Sequence, residues 1–250
     1  MKRQRILTIF KMEMRKLLRT PMFLFFSLFF VAMLVLIFGF ALSNVYGWGP
    51  EKSIFEQMVP GLFAYSGILT IFTVASSVLG DRDNGVQRRM NTTPINSGEV
   101  MVGQLLAYTI IPIIQTVIIL ITALLIGFRP NISVAGIVMV FVFSIFLSFC
   151  SVGLGLITAT IAKDAKAAGG LAFIFIVPQQ LFGSFIYMGE AVKVVGYAMP
   201  SQYVTDALYR IFYGTTLTDV NIWIDLLAIV IISLIIYFIG LKLYDKYKNG

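Results

Sequence analysis

The sequence predicts an all-α integral membrane protein with six transmembrane helices. Hydrophobic residues make up 58% of the chain and charged residues 12%, whereas soluble domains are about half apolar and a quarter charged. A helix that crosses a hydrocarbon core of about 30 Å needs about 20 apolar residues. Runs of that length cover residues 22–42, 60–80, 101–127, 133–161, 168–188 and 222–242. They leave no room for a sizeable soluble domain, so residues 1–250 form a single membrane domain.

A β-barrel is the alternative architecture for a membrane protein. Barrel strands appear as alternating segments of about 10 residues. The apolar runs here are continuous, as at residues 117–121 within 101–127. Helices are therefore the predicted elements.

The distribution of basic residues predicts the topology. With six spans and a cytoplasmic N-terminus, only four of the 19 lysines and arginines lie outside, namely Lys52, Arg129, Lys193 and Arg210. The other 15 lie inside, which is the bias seen in cytoplasmic loops. Both termini are expected in the cytoplasm, and the net charge of +7 reflects topology rather than nucleic-acid binding.

An amphipathic helix is expected within residues 1–20, before the first span. Its apolar positions recur at helical spacing while basic residues occupy much of the rest, and Thr20 and Pro21 then interrupt the chain. The apolar positions are Ile6, Ile9, Phe10, Met14 and Leu17. Such a helix is expected to lie in the headgroup plane, in contact with membrane lipid.

Several polar residues lie inside the predicted spans. Four of them fall on one face of span two, and two amides follow Pro178 in span five with a hydroxyl one turn later. These residues are Ser66, Thr70, Thr73, Ser77, Gln179, Gln180 and Ser184. Either helix packing or the lining of a substrate pathway explains them. Span four carries a stripe expected to pack against another helix, namely Ser144, Ser148, Ser151, Gly155 and Thr158.

The segment 189–221 is too polar for a simple span and too apolar for a free loop. Two short amphipathic helices broken at Met199 and Pro200 fit it best, with Ser201 as the N-cap of the second. Such a pair would enter the outer leaflet without crossing it, since irregular backbone there needs contact with protein or water.

The absence of histidine excludes several kinds of intramembrane enzyme. A zinc protease needs histidine ligands, and a rhomboid-type protease needs a serine–histidine pair. An intramembrane aspartyl protease needs two carboxylates, whereas only Asp225 lies near a span. No metal site is predicted, and Cys150 is expected to be a packing residue.

The loop at residues 81–99 is cytoplasmic and dense in charge. Gly85 can end a helix and Pro94 cannot continue one, so residues 86–93 are expected to form a short helix. A short charged helix on this face suits docking to another protein. An ordinary solvated loop is the alternative.

These features resemble the permease subunits of ABC-2 type exporters, including drug-resistance permeases of the daunorubicin type. The resemblance covers the whole chain. It is carried by the N-terminal amphipathic helix, the loop pattern and the outer helix pair; the matching residues are Arg82–Gly85, Arg88, Arg89, Thr92, Thr93, Pro94, Met199, Pro200 and 206–208. In that family the loop forms a coupling helix that contacts an ATPase subunit.

The resemblance implies the partners and the site residues. The chain has no Gly-x-x-x-x-Gly-Lys-[Ser/Thr] phosphate loop, so a separate ABC ATPase subunit would bind ATP and Mg. The docking residues would be Arg82, Asp83, Gly85, Arg88, Arg89, Met90 and Pro94. A second permease copy would complete a dimer, and Phe26 and Phe30 of span one would give the pathway an apolar wall.

The expected function is export of a hydrophobic or amphipathic drug, lipid or peptide across the plasma membrane of a prokaryote. A secondary transporter is the alternative, although such carriers often contain internal repeats and buried ionisable groups. A bacteriocin-immunity-type membrane protein without an ATPase partner is a further alternative.

Overall fold

The computed structural model describes residues 3–45, 53–93, 95–185, 194–213 and 217–248, and this part of the chain is helical with no strand. In chain order the helices are α1 Arg3–Arg19, α2 Pro21–Leu42, α3 Ile54–Asp83, α4 Val86–Asn91, α5 Ser97–Ile126, α6 Val134–Ile161, α7 Ala165–Gln180, α8 Pro200–Phe212 and α9 Val220–Lys248. A π-helical turn, Leu181–Phe185, follows α7 directly.

Five helical segments are long and apolar enough to cross a membrane, namely Leu24–Leu42, Ile54–Asp83, Ser97–Ile126, Val134–Ile161 and Val220–Asp245. The chain is therefore a multi-pass membrane protein. The apolar segment in the region of predicted span five, Ala167–Gly183, is shorter. The count of six spans stays a prediction.

Helix α3 lies at the centre of the bundle. It packs against α5, α6, α7 and α8, and most of its side chains are buried. At Gly155 of α6 the two backbones approach so closely that an added Cβ would lie 2.8 Å from Cβ of Val74. The small stripe of α6 is buried, so its predicted packing role is confirmed.

Helices α2 and α9 lie at the edge of the bundle. On α2 the exposed apolar side chains include Phe25, Phe26, Phe29 and Phe30, and on α9 they include Trp223 and Leu227. Surfaces of this composition suit contact with lipid tails or with another membrane subunit.

The ends of the helices are set by local capping. Helix α3 begins before the predicted residue 60 because Ser53 and Glu56 form a capping box, in which each side chain accepts the backbone N–H of the other residue. Pro60 then lies inside the second turn. Helix α4 ends at Asn91 rather than at residue 93.

The outer segment is helical at 194–196 and in α8, whereas residues 189–193 and 214–216 lie outside the described part of the chain. The expectation that Ser201 caps α8 is wrong, because Met199 holds the N-cap position. The Ser201 hydroxyl instead donates to the carbonyl of Gln179, 3.0 Å away.

Candidate functional site: the loop between α3 and α5 and its supports

Helix α4 is a short helix in the loop between α3 and α5. Gly85 begins it with φ of 70°, a left-handed conformation that costs glycine little. At its other end the hydroxyl of Thr92 donates to the carbonyl of Arg89 over 2.8 Å, and that of Thr93 to the carbonyl of Met90 over 2.6 Å. These bonds satisfy carbonyls that a helix end leaves open.

The predicted docking residues do not all point to the surface. Asp83 and Arg89 are exposed, and Gly85 and Met90 are half-buried. The Arg82 guanidinium donates to the carbonyl of Lys163, so it ties this loop to the connection between α6 and α7. The side chain of Arg88 and all of Pro94 lie outside the described residues.

Ion pairs from α1 hold both ends of this loop. Just before it, the Lys16 ammonium lies 2.6 Å from the Asp81 carboxylate of α3. Just after it, the Arg5 guanidinium lies 3.6 Å from the Glu99 carboxylate of α5. Arg5 and Lys16 are about 16 Å apart along α1 at 1.5 Å per residue. Helix α1 thus bridges the two ends of the segment 81–99.

A buried glutamate completes the contact between α1 and the spans. Glu13 is 0% exposed, and it accepts hydrogen bonds from the Gln104 amide at 3.1 Å and the Tyr108 hydroxyl at 2.9 Å. The Lys16 ammonium lies 3.3 Å from the same carboxylate. We call Glu13, Lys16, Ser77, Asp81, Gln104 and Tyr108 the α1 polar cluster.

Each hydrogen bond between the hydroxyls and the carboxylate of the α1 polar cluster has its own proton donor. A bond of 2.5 Å joins the hydroxyls of Tyr108 and Ser77. Because Tyr108 has one proton to donate and gives it to Glu13, the Ser77 hydroxyl supplies the proton for this second bond. Lys16 also reaches the carbonyl of Ser77 at 3.5 Å, so its ammonium connects α1 to α3.

One ammonium therefore serves two carboxylates in the α1 polar cluster. The Lys16 side chain is 32% exposed, against 0% for Glu13 and 11% for Asp81. Charges withdrawn from water are costly unless paired, and removing one partner of a buried pair typically costs about 3–5 kcal/mol. The cluster therefore contributes to holding α1 against α3 and α5, and loss of Lys16 leaves two carboxylates without their shared cation.

Glu13, Gln104 and Tyr108 were not predicted from the sequence to belong to a site. A signal was available for Glu13: it lies four residues from both Ile9 and Leu17, so it belongs to the apolar face of α1, and these three residues are buried. Nothing comparable marked its partners, which are 91 and 95 residues away in the chain.

The structure divides the predicted pathway residues into exposed and buried groups. Phe26 and Phe30 are exposed on α2, whereas Ser66, Thr70, Thr73 and Gln179 are buried within the bundle. The hydroxyls of Ser66 and Thr73 donate to carbonyls of their own helix. Ser77 belongs to the α1 polar cluster, and the side chain of Ser184 lies outside the described residues.

Tyr65 connects two of the predicted pathway residues and was not identified from the sequence. Its ring centroid lies 6.4 Å from that of Phe30 on α2, and its hydroxyl forms a hydrogen bond with the side chain of Gln180 on α7. Tyr65 of α3 thus contacts both Phe30 and Gln180.

A comparison against known families identifies the family to which this helical chain belongs. The family model described as ABC-2 type transporter matches residues 4–213. The chain belongs to the ABC-2 type transporter family. A comparison with curated proteins gave no match.

Membership of the ABC-2 family defines the general role of the chain. It is a permease subunit of an ABC-type transporter, a transport subunit and not itself an ATPase. Permeases of this family normally pair with an ABC ATPase. The likeness to the daunorubicin type stays a prediction.

In this ABC-2 permease, α8 packs against the C-terminal end of α7, where the α-helix changes to the π-helical turn. Ser201 and Thr205, one turn apart on α8, donate to the carbonyls of Gln179 and Gly183 at 3.0 and 2.9 Å. These carbonyls lie where α7 passes into the π-helical turn after Pro178. A side chain on Gly183 would collide with the Ser201 hydroxyl, so glycine permits the close contact.

Arg210 joins α8 to the start of α9. Its guanidinium lies 3.7 Å from Asp219 and 4.0 Å from Asp225. A backbone N–H donated by Asn221, with a smaller contribution from Arg210, lowers the pKa of Asp219. These contacts hold α8 to the N-terminal end of α9.

No group of three or more histidine, cysteine, aspartate or glutamate side chains suited to a metal occurs within the described ranges.

Proposed function

We propose that this chain is the permease subunit of an ATP-driven exporter in the plasma membrane of a prokaryote. It moves a hydrophobic or amphipathic drug, lipid or peptide out of the cytoplasm. A separate ABC ATPase docks on α4 and binds ATP and Mg, and a second permease copy completes the transporter. Both termini lie in the cytoplasm.

The observation that carries the proposal is the support of α4 at both ends. Arg89 on α4 and Thr92 and Thr93 directly after it are exposed, while Lys16 and Arg5 of α1 hold the two ends of the loop. A docking element must be exposed to its partner yet stiff enough to pass on a displacement. An ordinary solvated loop would not need ion pairs at both ends.

The exposed surface of α2 supports an apolar pathway. Phe26 and Phe30 are available to a substrate or to a second copy, and Gln180, which bonds to Tyr65, offers a polar contact. In this structure Ser66, Thr70, Thr73 and Gln179 face the inside of the bundle. We therefore propose Phe26, Phe30 and Gln180 as the contacts nearest the pathway, and the buried residues as its supporting wall.

Docking is tested by charge reversal at the exposed arginine of α4. The permease is co-expressed with its ABC ATPase partner, and the amount of ATPase retained on the purified permease is measured. The variant Arg89→Glu should lower retention by about tenfold, which corresponds to about 1.4 kcal/mol. The matched control is Arg129→Glu, which reverses an exposed arginine between α5 and α6.

Full retention by Arg89→Glu in membranes that contain normal amounts of permease would contradict docking on α4. Equal loss in both variants would assign the effect to net charge rather than to the site.

A further inference from the structure

Helix α1 connects the docking loop to the spans in two ways. The Lys16–Asp81 and Arg5–Glu99 ion pairs connect it to the two ends of the loop. Through Glu13, Gln104 and Tyr108 it is fixed along α5. We infer that α1 passes the displacement of α4 to the first span, and that Glu13, Lys16 and Asp81 are the positioning residues of this step. The inference rests on the proposed docking of the ATPase on α4.

Backbone hydrogen bonds connect the start of α4 to the end of α3. The N–H of Asn84 donates to the carbonyl of Gly80 at 3.0 Å, and the N–H of Arg89 donates to the carbonyl of Gly85 at 3.3 Å. On the other side, Asn96 and Glu99 form a capping box at the start of α5. A displacement of α4 is therefore passed to Asp81 through the backbone, while the capping box fixes Glu99 at the start of α5.

Helix α1 also packs closely against α5. An added Cβ on Gly103 of α5 would lie 2.7 Å from Cβ of Ile9, so the two helices are in backbone contact. Arg5, Ile9 and Glu13 meet progressively later residues of α5, which places α1 lengthwise beside the first turns of that helix.

Helix α1 continues into α2 without a free linker. The N–H of Thr20 donates to the carbonyl of Leu17, and the N–H of Leu24 donates to the carbonyl of Thr20, each at 3.2 Å. A rotation of α1 about its contact with α5 therefore moves the start of α2. Helix α2 carries Phe26 and Phe30, which we place near the pathway.

Lys16 is the member of the α1 polar cluster on which the coupling depends most. It is the cation shared by Glu13 and Asp81. Without it, two carboxylates lie close together with no charge between them, and they repel. Helix α1 would then separate from α3, while α4 and its exposed surface remain.

The test measures transmission without knowledge of the substrate. The permease–ATPase complex is reconstituted in lipid nanodiscs, and amide hydrogen exchange is followed in α1 and α4 before and after trapping with ATP and inorganic vanadate. In the wild-type complex we expect trapping to change exchange in both helices. Exchange reports local opening of each helix separately.

The decisive variant is Lys16→Met, with Lys11→Met as the matched control. Lys11 is an exposed lysine on the same helix. In Lys16→Met the response of α4 should persist, whereas that of α1 should fall by about tenfold, within the range typical of coupling between two sites. The control should behave as wild type. Thermal unfolding of each complex reports any general loss of structure.

An exchanged pair separates charge pairing from packing. The double variant Lys16→Asp with Asp81→Lys keeps two carboxylates and one ammonium in the cluster, and it should restore the response of α1. Failure to restore it would assign the loss in Lys16→Met to damaged packing and overturn the role of the ion pair.

The remaining outcomes distinguish this inference from the proposed function. A wild-type complex in which α4 responds but α1 does not would overturn transmission through α1 and leave docking in place. If neither helix responds in the wild-type complex, both the transmission through α1 and the docking of the ATPase on α4 are contradicted. An unchanged α1 response in Lys16→Met would also overturn the inference.

Discussion

Two amide side chains within the apolar helices, Gln115 and Gln180, have hydrogen-bond partners on neighbouring helices. The Gln115 amide of α5 donates to the hydroxyl and the carbonyl of Ser27 on α2 at 3.0 and 3.2 Å. Gln180 of α7 bonds to Tyr65 of α3. An amide in hydrocarbon is costly without such a partner. Both amides therefore contribute to packing, whatever else Gln180 contacts.

The contribution of Gln180 to packing is measurable with a double-mutant cycle. Tyr65→Phe and Gln180→Leu each remove the same hydrogen bond, so their combined effect should be smaller than the sum of the two. We expect a coupling of about 0.6 kcal/mol in the free energy of unfolding in detergent–lipid micelles, the average for such bonds in membranes.

The same variants separate packing from a pathway role. If Gln180 also contacts substrate, Gln180→Leu should change the spectrum of compounds that stimulate ATP hydrolysis in proteoliposomes, and Tyr65→Phe should not. A coupling of zero would contradict the bond, and an unchanged spectrum would leave Gln180 a packing residue.

At the scale of elements, a break in one helix is compensated by a second helix. Proline inside α7 removes a backbone donor, and the turn after it widens to a π-helix. Two hydroxyls of α8 then satisfy carbonyls in this region. Helix α8 thus supplies hydrogen-bond donors to the end of α7 and to the π-helical turn, in addition to packing against the bundle.

Removing these two hydroxyls should loosen α8. We expect Ser201→Ala combined with Thr205→Val to lower the free energy of unfolding by about 1 kcal/mol, at about 0.6 kcal/mol for each bond. Hydrogen exchange should rise in α8 and in the π-helical turn while α1 stays protected. Thr205→Ser is the control, because it keeps the hydroxyl. Equal exchange in the double variant and in wild type would show that the bonds do not hold α8.

At the scale of the whole molecule, the sequence predicts the helices better than their contacts. Span positions follow from hydropathy along the chain, which is local information. The α1 polar cluster depends on residues far apart in sequence, so only the fold reveals that Lys16 meets Asp81. Likewise, the face shared by Ser66, Thr70 and Thr73 is visible in the sequence, but whether it faces a pathway or another helix depends on what packs there.

The topology of the permease is testable with single cysteines, since the native Cys150 is buried and should remain unlabelled. Thr93 follows α4, whereas Asn44 follows α2 and Asn131 precedes α6, and all three are exposed. If the positive-inside bias sets the orientation, a membrane-impermeant maleimide added to intact cells should label Asn44→Cys and Asn131→Cys but not Thr93→Cys. Inverted vesicles should give the opposite pattern. Labelling of Thr93→Cys from outside would place α4 on the wrong side for an ATPase, and the proposed docking would fail with the topology.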